Sequence, residues 1–395
     1  MKLKTLEVLS YEKWFQPVAS PADLLAATRN AHHQVADGER VAVPAPDAAS
    51  DLAGVLQMEE GGASFGLRFD GGHVPVGPLS MLGLHDAAIK SDCGTVFLDE
   101  HLALGESYHN PSMFEQSTGQ PCSHFRLDLD FDAGGTTMPF TAKVYPAPDE
   151  PLPVVADPYV SLVSRWAENY AHWLLEVLPR LWYRDACPEL RGLPILVPAT
   201  TRPFQRETLE ALGVAGQCVP YVDAFVRFER LYFPTFIAAG GYAPRQVRWL
   251  RDVLGGALGL RPAERPGRRL LVSRQNARGR HLLNWDAVEE QLRSRGFETI
   301  VLDALPVREQ AAAFAGASVV VAPHGAGNAN LVFLPEGAAF VELQPRSVLH
   351  PMYWVLAKAA GCRYGVVFCD DSGPPLCDLH VNTAALAGVL DSLEG

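Results

Sequence analysis

Two groups of residues in this chain of 395 have the types and spacing to do chemistry. In Asn169-Tyr170-Ala171-His172-Trp173-Leu174-Leu175-Glu176-Val177-Leu178-Pro179-Arg180, His172 and Glu176 stand four apart in a largely apolar helical run and share a face. An imidazole that titrates near neutrality beside a carboxylate is a base with an orienting partner. A satisfied core histidine with Glu176 turned to solvent would give the same pattern. A metal pair is disfavoured, because no third ligand stands at supporting spacing and H-E-x-x-H is absent.

The second group is Val319-Val320-Val321-Ala322-Pro323-His324-Gly325-Ala326-Gly327-Asn328-Ala329-Asn330-Leu331, an apolar strand running into two glycines and then a helix. Free amides and the positive end of a helix favour an anion there, and glycine lets the backbone come close. The third glycine of the dinucleotide fingerprint is missing, and a tight strand-to-helix turn would also use glycine. Upstream, Ser273-Arg274 closes a strand, with Arg278 and Arg280 just beyond. Ligands of open α/β sheets sit at the carboxyl ends of strands, where such arginines can fork onto a diphosphate. A surface turn is the alternative for Arg278 and Arg280. Glu342 ends the strand after the glycine loop, a place from which it could accept ribose hydroxyls or hold a loop.

The elements needed to position these residues can be read after Pro158, where strand and helix alternate. Strands are expected at 159–163, 194–197 and 228–233, with helices at 166–183, 204–212 and 243–258. The proline- and glycine-bearing stretch 260–267 reads as a connection between domains. Beyond it come strands at 269–273, 299–302, 318–322 and 338–342. A helix from Asn284 as N-cap to Arg295, stopped by Gly296, and another at 308–314 lie between them. This is a Rossmann-like lobe. Residues 1–155 are richer in Gly, Pro, Asp and Ser, with short strands such as 94–98 and 125–129, and 45–66 reads as a loop or insertion. The expected division is a β-rich N-terminal region (1–155) packed on a first, acceptor-side lobe (156–260), followed by a nucleotide-binding lobe (261–395).

Composition narrows the class. The chain exceeds the roughly 250–300 residues at which one core stops growing, so two domains are expected. A formal charge of −12 argues against a nucleic-acid partner, apart from the arginine-rich run 261–280. Seven scattered cysteines without a C-x-x-C pair read as buried thiols in a reducing compartment. No leader peptide or membrane span is evident, so the expected location is cytoplasmic. Neither a G-x-S-x-G elbow nor a Walker lysine loop occurs, which counts against hydrolases and kinases.

These pieces, in this order, resemble glycosyltransferase family 61, which includes bacterial capsular-polysaccharide transferases and eukaryotic protein O-GlcNAc and xylan-modifying enzymes. The match lies in Asn169-x-x-His172-Trp173-x-x-Glu176-x-Leu178-Pro179-Arg180 and in Ser273-Arg274 with Arg278 to Asn284. It continues in His324-Gly325-Ala326-Gly327-x-x-Asn330-Leu331-x-Phe333 with Val341-Glu342-Leu343.

The resemblance implies two Rossmann-like lobes of the GT-B type, a nucleotide-sugar donor, inversion at the anomeric carbon, and no cofactor or essential metal. The acceptor would be a glycan or glycoconjugate in bacterial polysaccharide biosynthesis, and a lipid-linked acceptor would bring the enzyme to a membrane surface. His172 and Glu176 would be catalytic. Ser273, Arg274, Arg278, His324, Gly325, Ala326, Gly327, Asn328 and Glu342 would bind the donor, with Asn169, Arg180 and Asn330 in support. Either His172 is the base oriented by Glu176, or Glu176 is the base and His172 touches the donor phosphate. Glu176 stands where Asp is often expected, and Asn328 where many relatives carry an apolar residue. A Rossmann oxidoreductase or a catalytically silent sugar-nucleotide sensor is the competing class.

Overall fold

The computed structural model of the chain describes residues 4–9, 15–61, 69–76, 79–90, 94, 96–98, 102–104, 130–131, 140–144, 152–164, 166–198, 202–221, 225–235, 241–260 and 267–394. The strand expected at 125–129 and most of the expected interdomain connection lie outside them. The chain forms two compact units: Met1–Gly38, Gly77–Arg202 and Val214–Ala239 make the first, and Glu39–Val76, Pro203–Gly213 and Gly240–Gly395 the second. Residues 39–76 and 203–213 therefore belong with the C-terminal unit. The segment 45–66, read as loop or insertion, contains the strand Ala48–Ala49 and the helix Leu52–Gly61.

Six strands of the first unit's sheet matter here: β1 (Ala31–Ala36), β2 (Leu79–Lys90), β3 (Tyr159–Ser161), β4 (Ile195–Val197), β5 (Cys218–Pro220) and β6 (Phe225–Pro234). The expected parallel set is present, with β3 between β6 and β4, and β5 beside β4. The sheet as a whole is mixed, because the long strand β2 runs antiparallel to both β6 and β1. Leu84, Ile89, Val163, Leu196, Leu231 and Phe233 form part of its core.

The helix expected at 166–183 is a chain of short pieces: an α-turn at Tyr170–His172, a π-turn at Trp173–Val177, a 3-10 stretch at Leu178–Trp182 and a last α-turn at Tyr183–Ala186. Pro179 supplies the physical reason. It has no N–H to give and its ring crowds the carbonyl four residues back, so the backbone widens just before it. Asn169 opens the segment as N-cap, its side chain accepting from the Ala171 amide at 2.9 Å.

Arg180 is fully buried and spends its guanidinium on strand ends. Nε donates to the Pro234 carbonyl at 3.1 Å, Nη2 to that of Ser161 at 2.7 Å and Nη1 to that of Val163 at 3.5 Å. Its Cζ lies 4.6 Å from the Phe233 ring centroid. Burial lowers its pKa to about 9, so the cation is retained at neutral pH.

The second unit is an open parallel sheet. Its strands β7 (Arg268–Ser273), β8 (Glu298–Val301), β9 (Ala317–Pro323), β10 (Ala339–Pro345) and β11 (Arg363–Asp371) lie in the order β8-β7-β9-β10-β11. All four pairings are parallel. The connecting helices are α1 (Trp285–Ser294), α2 (Val307–Ala315), α3 (Met352–Ala359) and α4 (Thr383–Glu394). Val288 and Leu292 of α1 and Leu386, Val389, Leu390 and Leu393 of α4 share a core with Leu271, Val321, Val341 and Val367 of the strands. Every residue of β9 and β10 except Ser318 is buried; β9 accordingly reads as a nearly continuous apolar run, while β10 carries two buried polar residues, Glu342 and Gln344.

Asn284 stands at the N-cap position of α1, as expected, but its side chain makes no cap hydrogen bond; its side-chain amide donates to the Val381 carbonyl and its side-chain carbonyl accepts from the Val381 amide, at 2.8 and 3.0 Å. Gly296 does end that helix, at φ +79°. The helix after the glycine loop is a 3-10 helix, Ala326–Phe333, packed by α2 and α3. Among the described residues, no helix is long and apolar enough to cross a membrane, and all five described cysteines are free thiols.

Replacing Arg180 with Met should keep the volume but orphan three buried carbonyls. Each unsatisfied group costs about 1–3 kcal/mol, part of which is returned because a buried cation is removed. A loss of roughly 2–4 kcal/mol in urea unfolding is expected; a wild-type midpoint would show that these bonds do not hold the strand ends.

Candidate functional site

In the second unit the spatial order of the five strands is 2-1-3-4-5, so the sheet reverses direction between β7 and β9. In such a sheet the crevice outside the carboxyl ends of those two strands is where ligands bind. The residues that end them are Ser273-Arg274 and Pro323-His324-Gly325. The sequence-predicted donor residues therefore converge on the topological switch point.

Arg274 is partly exposed, and its Nε donates to the Gly279 carbonyl at 3.1 Å. Its guanidinium occupies the space in which a side chain at 325 would sit: a Cβ there would collide with Nη1 and stand 2.8 Å from Cζ. Gly325 is thus required by crowding, since its φ of 174° is open to any residue. Arg280 adopts φ +58° and places Nη1 3.5 Å from the His324 carbonyl, while its buried Nε has no partner among the described residues. Neither guanidinium is in an ion pair among the described residues. Burial, followed by repulsion from Arg280, lowers the Arg274 pKa. Two cations held together without an ion-pair partner among the described residues, beside Gly325, Ala326 and Gly327 amides that have no acceptor among them, are the groups from which an anion site is built.

The loop is fastened from behind. Asn328 donates from Nδ2 to the Pro323 carbonyl at 3.1 Å, and Asn330 donates to Gln310 Oε1 at 3.1 Å and to the Gly327 carbonyl at 3.0 Å. Both asparagines are buried, so Asn328 acts on the loop's shape from inside. A Cβ at Gly327 would stand 2.8 Å from Leu302 Cδ1. Ser273 is buried and its hydroxyl accepts from the Gln275 amide at 3.3 Å, closing the turn after β7. Arg278 is exposed, and Arg280, two residues on, is the member of that pair beside His324.

Behind the loop lies a buried polar chain that sequence reasoning did not assemble. His324 Nδ1 is 2.6 Å from Glu342 Oε1, and the Tyr364 hydroxyl donates to Glu342 Oε2 at 2.6 Å. Gln344 Nε2 donates to the His350 carbonyl at 2.8 Å and lies 3.4 Å from His324 Nδ1. The His324 ring stacks on His350 and tilts against Tyr353, at centroid distances of 5.5 and 5.0 Å. With both oxygens engaged by protein, Glu342 holds the loop, one of its two expected roles. Burial, then Arg280 and Arg274, keeps the His324 pKa well below the imidazole range, and burial pushes Glu342 up to about 8. Tyr364 was discoverable only as a hydroxyl inside the apolar run that forms the strand next to Glu342.

In the first unit, His172 Nδ1 lies 2.7 Å from Glu176 Oε2, with Glu176 buried and His172 partly exposed. Glu176 therefore does not face solvent. Trp166, held at φ +67°, stacks on the His172 ring at 6.2 Å. Burial depresses the His172 pKa, but the charge and hydrogen bond of Glu176 outweigh it and the net shift is upward. Asn169 and Arg180 are the N-cap and the strand-end clamp of the segment bearing this pair. They act by placing it.

The two arginines stand at the switch point of a parallel sheet, the place where α/β proteins of this type hold their ligands. The sequence model of the family described as Glycosyltransferase 61 matches residues 170–341, a span that contains His172, Glu176, Arg274, Arg280 and the glycine loop. The chain thus carries a glycosyltransferase family 61 domain and is an enzyme of the glycosyl-transferring class. Comparison with curated proteins finds no match.

Two outcomes follow from this geometry. Gly325→Ala should displace only the flexible end of Arg274, leaving stability within about 1 kcal/mol of wild type while weakening nucleotide binding about 10–100-fold; calorimetric affinity equal to wild type would contradict the crowding argument. For the His172–Glu176 pair the sign follows from the raised His172 pKa. Its stabilisation is complete below the ordinary imidazole pKa of about 6.5 and is lost as pH rises through the raised value. The gap in melting temperature between wild type and Glu176→Gln should therefore narrow from pH 6 to pH 9. A constant gap would count against the ion pair.

Proposed function

We propose that the protein transfers a sugar, with inversion, from a nucleoside diphosphate sugar to a hydroxyl of a glycan or glycoconjugate in bacterial polysaccharide biosynthesis. The observation that carries this reading is the pair Arg274 and Arg280, without ion-pair partners among the described residues, at the strand-order reversal beside Gly325. A diphosphate supplies the missing negative charge, and arginine forks suit its oxygens. On this reading the two units are the two lobes of a GT-B enzyme, the donor is held by the second, and guanidinium groups and amides rather than a metal oppose the leaving-group charge.

The reaction forms a bond between the acceptor oxygen and the anomeric carbon and breaks the bond from that carbon to the diphosphate oxygen. The acceptor proton passes to a base, and the nucleoside diphosphate leaves with the bonding pair. His172 and Glu176 are the proposed base and its partner. With Nδ1 committed to Glu176, the Nε2 of a neutral His172 is the proton acceptor. The raised His172 pKa means that this base becomes available as pH rises, so turnover should climb through and above neutrality. Arg274 and the loop amides stabilise the departing diphosphate separately.

A thermal-shift series with nucleoside diphosphates, nucleotide sugars, NAD and NADP tests the class; ligands bound only by the native state raise its melting temperature with the logarithm of concentration. Stabilisation by NAD or NADP alone would overturn the donor assignment. Arg274→Ala should weaken nucleoside diphosphate binding about 10–100-fold, from the roughly 1.5–3 kcal/mol of a charged hydrogen bond. His172→Ala should lose about 10²–10⁴-fold in turnover while keeping donor affinity. If His172→Ala loses donor affinity as well and Glu176→Ala keeps it, Glu176 is the base and His172 the phosphate contact. Wild-type turnover in both variants would remove this pair from the chemistry.

A further inference from the structure

The chain Tyr364–Glu342–His324 is not needed to bury apolar surface, and it places a carboxyl group and an imidazole, both shielded from water, directly behind the anion loop. We propose that Tyr364 and Glu342 are positioning residues for His324: they keep a proton between Glu342 Oε1 and His324 Nδ1, so that Nε2 carries the N–H offered to a diphosphate. This rests on the donor reading above.

The argument is one of proton counting. A phenol hydroxyl hydrogen-bonded to Oε2 makes that oxygen an acceptor. Burial, then the charge and hydrogen bond of Glu342, lifts the Tyr364 pKa well above its usual 10, so this donor persists at every relevant pH. If the carboxyl is protonated, its hydrogen must then lie on Oε1, 2.6 Å from Nδ1. Nδ1 becomes an acceptor, and the neutral imidazole has its hydrogen on Nε2. That nitrogen has no partner among the described residues. If the carboxyl is ionised instead, Nδ1 carries the hydrogen, Nε2 shows a lone pair, and the site gains a negative charge. Both changes repel a phosphate oxygen.

The groups packed around the pair agree with the protonated form. Arg274 and Arg280, from the turn after β7, disfavour an imidazolium. His350 stacks on the ring and Tyr353 of α3 tilts against it, and Gln344 of β10 reaches toward Nδ1. Asp303 acts on Arg274, raising its pKa against the effect of burial. The carboxyl's upward shift to about 8 puts loss of the shared proton just above neutrality. Diphosphate affinity should accordingly be level near pH 7 and fall by up to about tenfold per pH unit above the titration of the pair.

Calorimetric titration of the full chain with uridine diphosphate, guanosine diphosphate and inorganic pyrophosphate from pH 7 to 9.5 tests this. Wild type should show the alkaline fall, with uptake of up to one proton per ligand bound at the high end. Glu342→Gln retains an amide N–H toward Nδ1 at all pH values, so it should lose the part of the alkaline fall that wild type owes to the pair and keep only that due to the probe's own ionisation; Tyr364→Phe should move the fall to higher pH. Equal slopes in wild type and Glu342→Gln overturn the proposal while leaving the donor site intact. Failure of all three probes to bind wild type overturns the donor reading and this inference with it. Nitrogen-15 spectra of histidine-labelled wild type give an independent readout at pH 7, where His324 should appear as the tautomer protonated at Nε2; a hydrogen on Nδ1 would overturn the assignment even if every variant failed to fold.

Discussion

Much of the second unit follows from one spatial exclusion: the Arg274 guanidinium and a side chain at 325 cannot share the same volume. Because β7 and β9 are neighbours with their carboxyl ends together, the residue leaving one strand must pass over the residue leaving the other. Nature can fill that place with an apolar side chain from 325 or with a cation from 274. Here the cation occupies it, and the loop must then be held by other means. Asn328, Asn330 and the Glu342–Tyr364 chain supply them from below, and the buried apolar 3-10 helix anchors the far end.

The first unit uses an arginine in the opposite sense. Arg180 donates to backbone carbonyls at the strand ends and lies over an aromatic face, so its charge is spent on architecture. The widened turn before Pro179 and the cap at Asn169 together fix the helical segment from which His172 and Glu176 project. Two arginines that look alike as letters thus differ in whether protein atoms exhaust their donors. That difference separates a fastening from a binding group.

What could be read in advance tracks how local the determining physics is. Strand β9 was legible because burial on both faces leaves an almost continuous apolar run, and the start of β10 because Ala339, Phe340 and Val341 continue the pattern up to Glu342. The His172–Glu176 pair was legible because four-residue spacing fixes neighbours on any near-helical turn, and it survived the change to π geometry. The partners of Glu342 were not, since Tyr364 reaches it only through the register of β10 on β11. Arg278 and Arg280 could not be ranked from sequence: the left-handed backbone at 280 and the close approach of Gly279 to the Leu376 carbonyl decide which of them turns in. The strand Ala48–Ala49 is too short to carry any periodicity, and the choice of 3-10 over α winding after Gly327 depends on bonds such as that of Asn330 to Gln310, made through space.

Neither unit is one continuous stretch of chain, and this bears on the order in which a ribosome can finish them. The polypeptide passes from one unit to the other at residues 38, 76, 202, 213 and 239. Ala48–Ala49 emerges early, yet its parallel partners Gly365–Val366 are synthesised last. The first unit can complete itself once residue 239 has left the exit tunnel, while the strand Ala48–Ala49 must wait, unpaired with its sheet, for more than 300 further residues. Vectorial synthesis therefore imposes an asymmetry on this enzyme's birth, in which the unit carrying the His–Glu pair matures ahead of the one carrying the arginines. A nascent chain stalled between the two events would hold its early segment open to chaperones.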